Sequence, residues 1–157
     1  MNNFQRGCAL SNAHVGCEFE ALARTVLAKQ GLDLDPNHKV AVGIASEKKE
    51  HRFDLGSENP KVIVECKAHT WTEGNKVPSA KMTNWAEAMF YFHMAPKTYR
   101  KIFVVERSIR KTTGETLLSY FMRTQFHLIP PRVEIWELDS TTGDVCTKLL
   151  NTNRDQA

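Results

Sequence analysis

The stretch Lys61-Val62-Ile63-Val64-Glu65-Cys66-Lys67 limits the possible folds more than any other part of the chain. Three consecutive β-branched apolar residues after the turn signal Asn59-Pro60 specify a strand in the core of a sheet. Glu65 and Lys67 then interrupt it with charge. Burying an ionised carboxylate or ammonium costs several kcal/mol unless it is paired, neutralised or bound to a metal. Alternation puts Val62, Val64 and Cys66 on one face and Ile63, Glu65 and Lys67 on the other, so the strand leaves the core and enters a cleft.

The flanking sequence supplies the rest of an α/β layer structure. Val15, Phe19, Leu22, Ala23, Val26 and Leu27 recur at helical spacing, with Gly31 at the position of a C-cap glycine, and predict a helix over 15–29. Val40–Ile44 reads as a first strand, "SEKKEH" as a turn, and Arg52-Phe53-Asp54-Leu55 as the start of a second strand, with Phe53 and Leu55 on one face and Arg52 and Asp54 on the other. Pro78-Ser79 opens a helix with Met82, Trp85, Ala86, Met89, Phe90 and Phe92 on a broad apolar face, and Pro96 ends it. Ile102–Val105 is a strand, and Thr112-x-x-Glu115 is a capping-box signature before Leu117, Leu118, Phe121 and Met122. Pro130-Pro131 closes that helix, Arg132–Leu138 is a strand, and Thr142-Gly143-Asp144 turns the chain back through Val145–Leu150. The tail 151–157 is polar and expected to fray. Early strands too close for helical crossovers pair antiparallel, whereas the later strand-helix-strand stretch suits a parallel crossover. The expected architecture is a mixed central β-sheet flanked by helices on both faces, in a single domain over 1–157.

Composition excludes several classes. The 157 residues are 41% hydrophobic and 25% charged, the proportions of a globular domain rather than of a disordered or fibrous chain. No run of about 18 apolar residues exists to cross a bilayer and the start lacks a signal-peptide pattern, so a cytoplasmic protein with no membrane partner is expected. Cys8, Cys17, Cys66 and Cys146 form no C-x-x-C pair, and they read as reduced thiols rather than zinc ligands. His14, His38, His51, His69, His93 and His127 show no compact ligand spacing. Neither a P-loop nor a G-x-S-x-G elbow is present, and no small-molecule cofactor is expected. The net charge of +3 is modest, but between Lys97 and Lys111 six basic residues accompany only Glu106, as either a phosphate-facing patch or the solvated ends of one strand.

If the second and third strands are neighbours, Asp54 and Glu65 meet. Two close carboxylates raise one pKa or require a cation between them. Oxygen ligands without thiolates or clustered imidazoles favour a hard ion, and Mg²⁺ takes one or two carboxylates, keeps several waters and binds substrate phosphate. Lys67, two residues from Glu65 on the same face, is placed to stabilise a phosphorane-like charge or to help deprotonate the attacking water.

Asp54 followed eleven residues later by Glu65-Cys66-Lys67 resembles the bipartite motif of the PD-(D/E)xK nuclease superfamily, although Phe53 stands where the name motif has proline. The resemblance covers residues 15–105. It implies a restriction-endonuclease-like core of order αβββαβ over about 12–106, followed by a C-terminal extension, an added helix and β-hairpin over about 107–150. It further implies that Asp54 and Glu65 bind Mg²⁺ (Mn²⁺ substituting), that the main-chain carbonyl of Cys66 adds a ligand, and that Lys67 assists the water. Gly16-x-x-x-Glu20 is similar to the acidic helix motif of many members and selects Glu20 as a supporting residue; helical periodicity alone leaves Glu18 and Glu20 open. The helix from Ser79 lacks the Q-x-x-x-Y pattern of the RecB-like branch. Lys48, Lys49, His69, Lys76 and Lys81 are candidate phosphate contacts, while Trp71, Trp85 and Trp136 read as core or edge residues. The expected activity is that of a Mg²⁺-dependent endodeoxyribonuclease (restriction-type, junction-resolving or repair), acting on DNA as a homodimer. The alternative is a non-catalytic nucleic-acid-binding or assembly subunit retaining the fold.

Overall fold

The computed structural model describes residues 4–152, with side chains from residue 13 onward. The order is α1 (Phe4–Lys29), β1 (Asp35–Val42), β2 (Lys49–Glu58), β3 (Lys61–Lys67), α2 (Ser79–Met94), β4 (Arg100–Glu106), α3 (Leu117–Gln125), a 3-10 turn (Phe126–Leu128), β5 (Val133–Asp139) and β6 (Asp144–Leu150). The six strands form one mixed sheet in chain order. Short turns make β1–β2, β2–β3 and β5–β6 antiparallel, and the helical connections through α2 and α3 make β3–β4 and β4–β5 parallel. The expected α/β class and element order are observed.

Strand alternation splits the interior into two cores. On one face α1 places Phe19, Ala23, Val26 and Leu27 against Leu55, Val62, Val64, Cys66, Ile102 and Val104. On the other, α2 and α3 place Met82, Trp85, Met89, Phe92 and Phe121 against Phe53, Ile63, Phe103, Val105 and Ile135. Phe103 is the hub of the second core, with the rings of Trp85, Phe92 and Phe121 at 5.4, 6.5 and 6.5 Å. Such edge-to-face packing adds to the area buried. Gly31 ends α1 at φ 86, and the bonds Leu32 N→Leu27 O and Gly31 N→Ala28 O close a Schellman turn that any side chain at Gly31 would strain.

Several boundaries differ from expectation. α1 begins eleven residues before Val15, because no breaker separates the two segments. β1 spans Asp35–Val42 rather than Val40–Ile44, leaving Ile44 76% exposed in the turn, and β2 begins at Lys49, inside the segment expected to be the turn. Thr112 and Glu115 do not cap α3. Gly114 at φ 73 keeps Arg110–Gly114 in a separate turn, and Thr116 is the N-cap, accepting from Ser119 N at 3.0 Å. Asn151 is tied down by Nδ2 bonds to Ile129 O (2.8 Å) and Pro130 O (3.1 Å), so the expected fraying does not start there, and residues 153–157 lie outside the described part. Cys17, Cys66 and Cys146 are free thiols; Cys8 lies outside the described side chains. No described helix is long and apolar enough to cross a membrane.

The most consequential difference lies in β2. Phe53 packs under α2 while Leu55, two residues on, packs under α1, so these residues do not share a face as simple alternation requires. The side reversal falls at Asp54. The β1–β2 ladder pairs Pro36 with Leu55 and His38 with Phe53 but skips the Asn37–Asp54 position, and Asn37 sits at φ 55. The β2–β3 ladder also stops at Leu55–Val64. β2 therefore parts from β3 where Asp54 sits.

Because Phe103 joins both inner helices to the sheet, Phe103→Ala is expected to destabilise the protein by about 3–5 kcal/mol, whereas Ile44→Ala should change stability by less than about 0.5 kcal/mol. Urea unfolding followed by tryptophan fluorescence checks this. Equal midpoints for the two variants would contradict the assignment of this core.

Candidate active site

Glu65 is the centre of the charged cluster. In β3 it continues the face of Ile63, pairs in register with Phe103 of β4, and is 5% exposed. Both of its oxygens are engaged. His51 Nε2 donates to Oε1 at 3.1 Å and Lys67 Nζ to Oε2 at 3.2 Å. Removing a carboxylate from water to this degree is tolerated because two donors, at least one of them charged, replace its hydration.

His51 was not among the expected site residues because its segment reads as a turn. In the structure it lies in β2, its ring stacked on Tyr91 of α2 with centroids 3.6 Å apart and edge-on to Phe53 at 4.6 Å. This sandwich fixes the imidazole plane and aims Nε2 at Glu65. The sequence signal for it was the alternation of His51 with Phe53, legible only if β2 is begun at Lys49.

Asp54 occupies the point where β2 parts from β3. Its Oδ2 accepts the main-chain N–H of Cys66 at 2.7 Å, so a side chain closes the gap between the strands at this point. Burial, then the nearby Glu65, push its carboxyl up to about 7, with Glu20 adding to the rise; the Cys66 N–H and the Lys67 ammonium oppose it. Glu20 on α1 is half-buried and shifted up as well, first by burial and also by Glu65, while Lys67 pulls it down. Glu20 is thus the acidic residue of α1 whose field reaches the cluster. Glu18 instead pairs with His14 at 2.9 Å and is exposed.

Lys67 is pulled down by burial, but Glu65 and Asp54 beside it more than offset this and its pKa is raised. It is an ammonium at neutral pH. Cys66 points the other way, into the α1-side core, where burial and the surrounding carboxylates push its thiol far up; the sulfur is an inert apolar group and only its backbone belongs to the cluster.

The donor set fits a hard divalent ion. Among the described residues no group of three or more His, Cys, Asp or Glu side chains is placed to hold a metal ion. What is present is a pair of carboxylates, Asp54 and Glu65, with an adjoining main-chain carbonyl at Cys66. That is the sparse oxygen set which suits Mg²⁺, an ion that keeps most of its waters. Burial raises the Asp54 carboxyl first and the neighbouring Glu65 charge adds to it, while Lys67 only partly opposes the rise.

The outer candidates separate into two groups. His69, in the loop after β3, accepts a hydrogen bond at Nδ1 from Trp85 Nε1 at 3.0 Å and lies within the fields of Lys67 and Lys81. Lys76 and Lys81 are exposed in that loop and in the first turn of α2. Lys48 instead turns back to donate to Gly43 O at 2.7 Å within the β1–β2 turn, and Lys49 is exposed at the start of β2. Trp71 and Trp136 are both buried. The six basic residues of Lys97–Lys111 do not form one patch, because β4 separates them. Lys97, Arg100 and Lys101 line a cavity of about 510 Å³ at its start, where Arg100 forks onto Glu134. Arg110 lies past its end, donating to Asn75 O at 2.8 Å with its guanidinium over Trp71.

No protein-family profile matches the sequence, and no curated protein does either. Among solved structures the chain is similar to the crystal structure of an XisH family protein from Nostoc punctiforme, with 12% identity and a TM-score of 0.47 over 84% of this chain and 98% of that one. At that identity and TM-score the likeness carries no residue role to Asp54, Glu65 or Lys67.

Proposed function

We propose that this chain is a Mg²⁺-dependent nuclease that hydrolyses DNA phosphodiester bonds at the Asp54–Glu65–Lys67 cluster. The observation that carries the reading is the nearly inaccessible Glu65, gripped by His51 and Lys67, beside an Asp54 whose carboxyl is pushed up to about 7 by burial and then by Glu65. Structural ion pairs give no reason for a second, uncompensated acid at the same point. A phosphate-hydrolysing centre does, since hard ions are held by such acids and presented to a phosphate.

In this reading Asp54, Glu65 and the Cys66 carbonyl hold the ion. When bound, Mg²⁺ supplies Lewis-acid polarisation of the scissile phosphate and makes a water more acidic. His51 and Lys67 fix the Glu65 carboxylate, so its orientation is set before substrate arrives. Lys67, protonated, stabilises the negative charge that grows on the phosphate as the water attacks, which favours the charge-stabilising role over that of a base. Glu20 adds a further acid on the α1 side. Exposed Lys76 and Lys81 at the neighbouring loop and helix start supply phosphate contacts that position a strand without reading its sequence.

Two experiments test this. In the first, plasmid and duplex, single-stranded and branched DNA are incubated with Mg²⁺ or Mn²⁺. Wild type is expected to cleave at least one of them, and Glu65→Ala and Lys67→Ala each to lose roughly 10²-fold or more. Equal activity in all three proteins contradicts the assignment, and DNA binding without metal-dependent cleavage favours the non-catalytic subunit.

The second uses stability alone. The Asp54 carboxyl, raised from 3.8 to about 7, binds its proton more tightly in the folded state. Its contribution to stability is therefore fully present below about pH 4 and is lost as pH rises toward and through about 7. Metal-free Asp54→Asn should gain on wild type across that interval and keep the advantage at pH 8, and added Mg²⁺ at pH 8 should raise the melting temperature of wild type only. A constant deficit of the variant at every pH would contradict this account of the site's electrostatics.

A further inference from the structure

The bond between Trp85 and His69 determines where the imidazole proton sits. An indole N–H can only donate, so His69 Nδ1 must be an acceptor, and the neutral ring carries its proton on Nε2. An imidazolium would set two N–H groups against each other. The ring cannot easily turn away, because Trp85 is wholly buried, wedged edge-on between Phe103 at 5.4 Å and Phe121 at 5.2 Å. Releasing its N–H would leave a buried donor without a partner, at about 1–3 kcal/mol.

The surroundings agree with the bond. Burial, with the charges of Lys81 and Lys67, lowers the His69 pKa to about 4, in the same direction as the bond. The Nδ1 side faces the core through Trp85, and the half-buried ring directs its far edge, with Nε2, away from it. No described residue accepts from Nε2. Because the Nδ1 lone pair is committed to the indole and Nε2 is protonated, His69 has no lone pair left for a metal ion. What remains is a fixed donor, two residues beyond Lys67 and flanked by two lysines, and the partner it fits is an anionic oxygen.

We propose that His69, locked by Trp85 as the neutral Nε2–H tautomer, donates a hydrogen bond to a non-bridging oxygen of the substrate phosphate. The inference rests on the nuclease reading and adds a named contact to it. A neutral donor suits this position, since it binds phosphate without adding a third cation beside Lys67 and Lys81 and without competing for the metal.

Long-range ¹H–¹⁵N spectra of the His69 ring test the tautomer in the free protein. Nδ1 is expected in the unprotonated range and Nε2 in the protonated range, unchanged from about pH 5.5 to 8. A protonated Nδ1, or titration near the ordinary value of about 6.5, overturns the proposal. The contact is tested by fluorescence anisotropy of a labelled duplex with Ca²⁺ in place of Mg²⁺, so that binding is read without cleavage. His69→Ala should weaken binding roughly tenfold, while His69→Gln, which keeps an N–H donor, should stay within about threefold of wild type. Thermal melting confirms that both variants fold. Unchanged affinity for His69→Ala in a wild type that binds and cleaves DNA overturns this contact and leaves the nuclease reading standing. A wild type that neither binds nor cleaves DNA overturns both.

Discussion

The carboxylate of Glu65, almost sealed from water and held between His51 and Lys67, is the interaction around which the rest of this structure is organised. A central strand has no ordinary use for such a group, because the same position filled by an apolar side chain would avoid the desolvation cost. The pair with Lys67 alone would already be a compromise. The structure goes further and brings Asp54 to the same place, with Cys66 N–H holding one oxygen and the strands separating to admit it. The outcome is two carboxylates in one partly buried place, with the Asp54 carboxyl raised first by burial and then by Glu65.

Helix α2 contributes no member of the acidic cluster, yet it sets two of the groups around it. Tyr91 stacks on His51 and so orients the donor to Glu65; Trp85 donates to His69 and so fixes its tautomer. Trp85 is wholly buried against Phe103, and the half-buried Tyr91 packs against the same core. The core on this side therefore serves the site as a set of rigid stops.

The layer order and the alternation of β3 were legible because each rests on a strong local signal: a β-branched run, a proline, a helical stripe. The meeting of Asp54 with Glu65 was legible as well, but by a simpler geometry than the real one. Unbroken alternation in β2 puts Phe53 and Leu55 together, whereas the reversal at Asp54, accompanied by Asn37 in the left-handed region, sends them to opposite cores. That reversal depends on the partner strands, which a single strand's pattern does not contain. His51 was missed for a related reason, since a lysine- and glutamate-rich segment reads as a turn while the pairing with β1 makes it a strand. The capping box at Thr112 failed because Gly114 interposes a turn, and helical periodicity left Glu18 and Glu20 open because it does not contain the position of β3 beneath α1.

Crystals grown metal-free and soaked in Mn²⁺, with data collected to give an anomalous difference map, address the central claim most directly. The account predicts an anomalous peak within bonding distance of carboxylate oxygens of both Asp54 and Glu65 and of the Cys66 carbonyl. A map with no density there, or with Mn²⁺ bound only elsewhere on the surface, would contradict it.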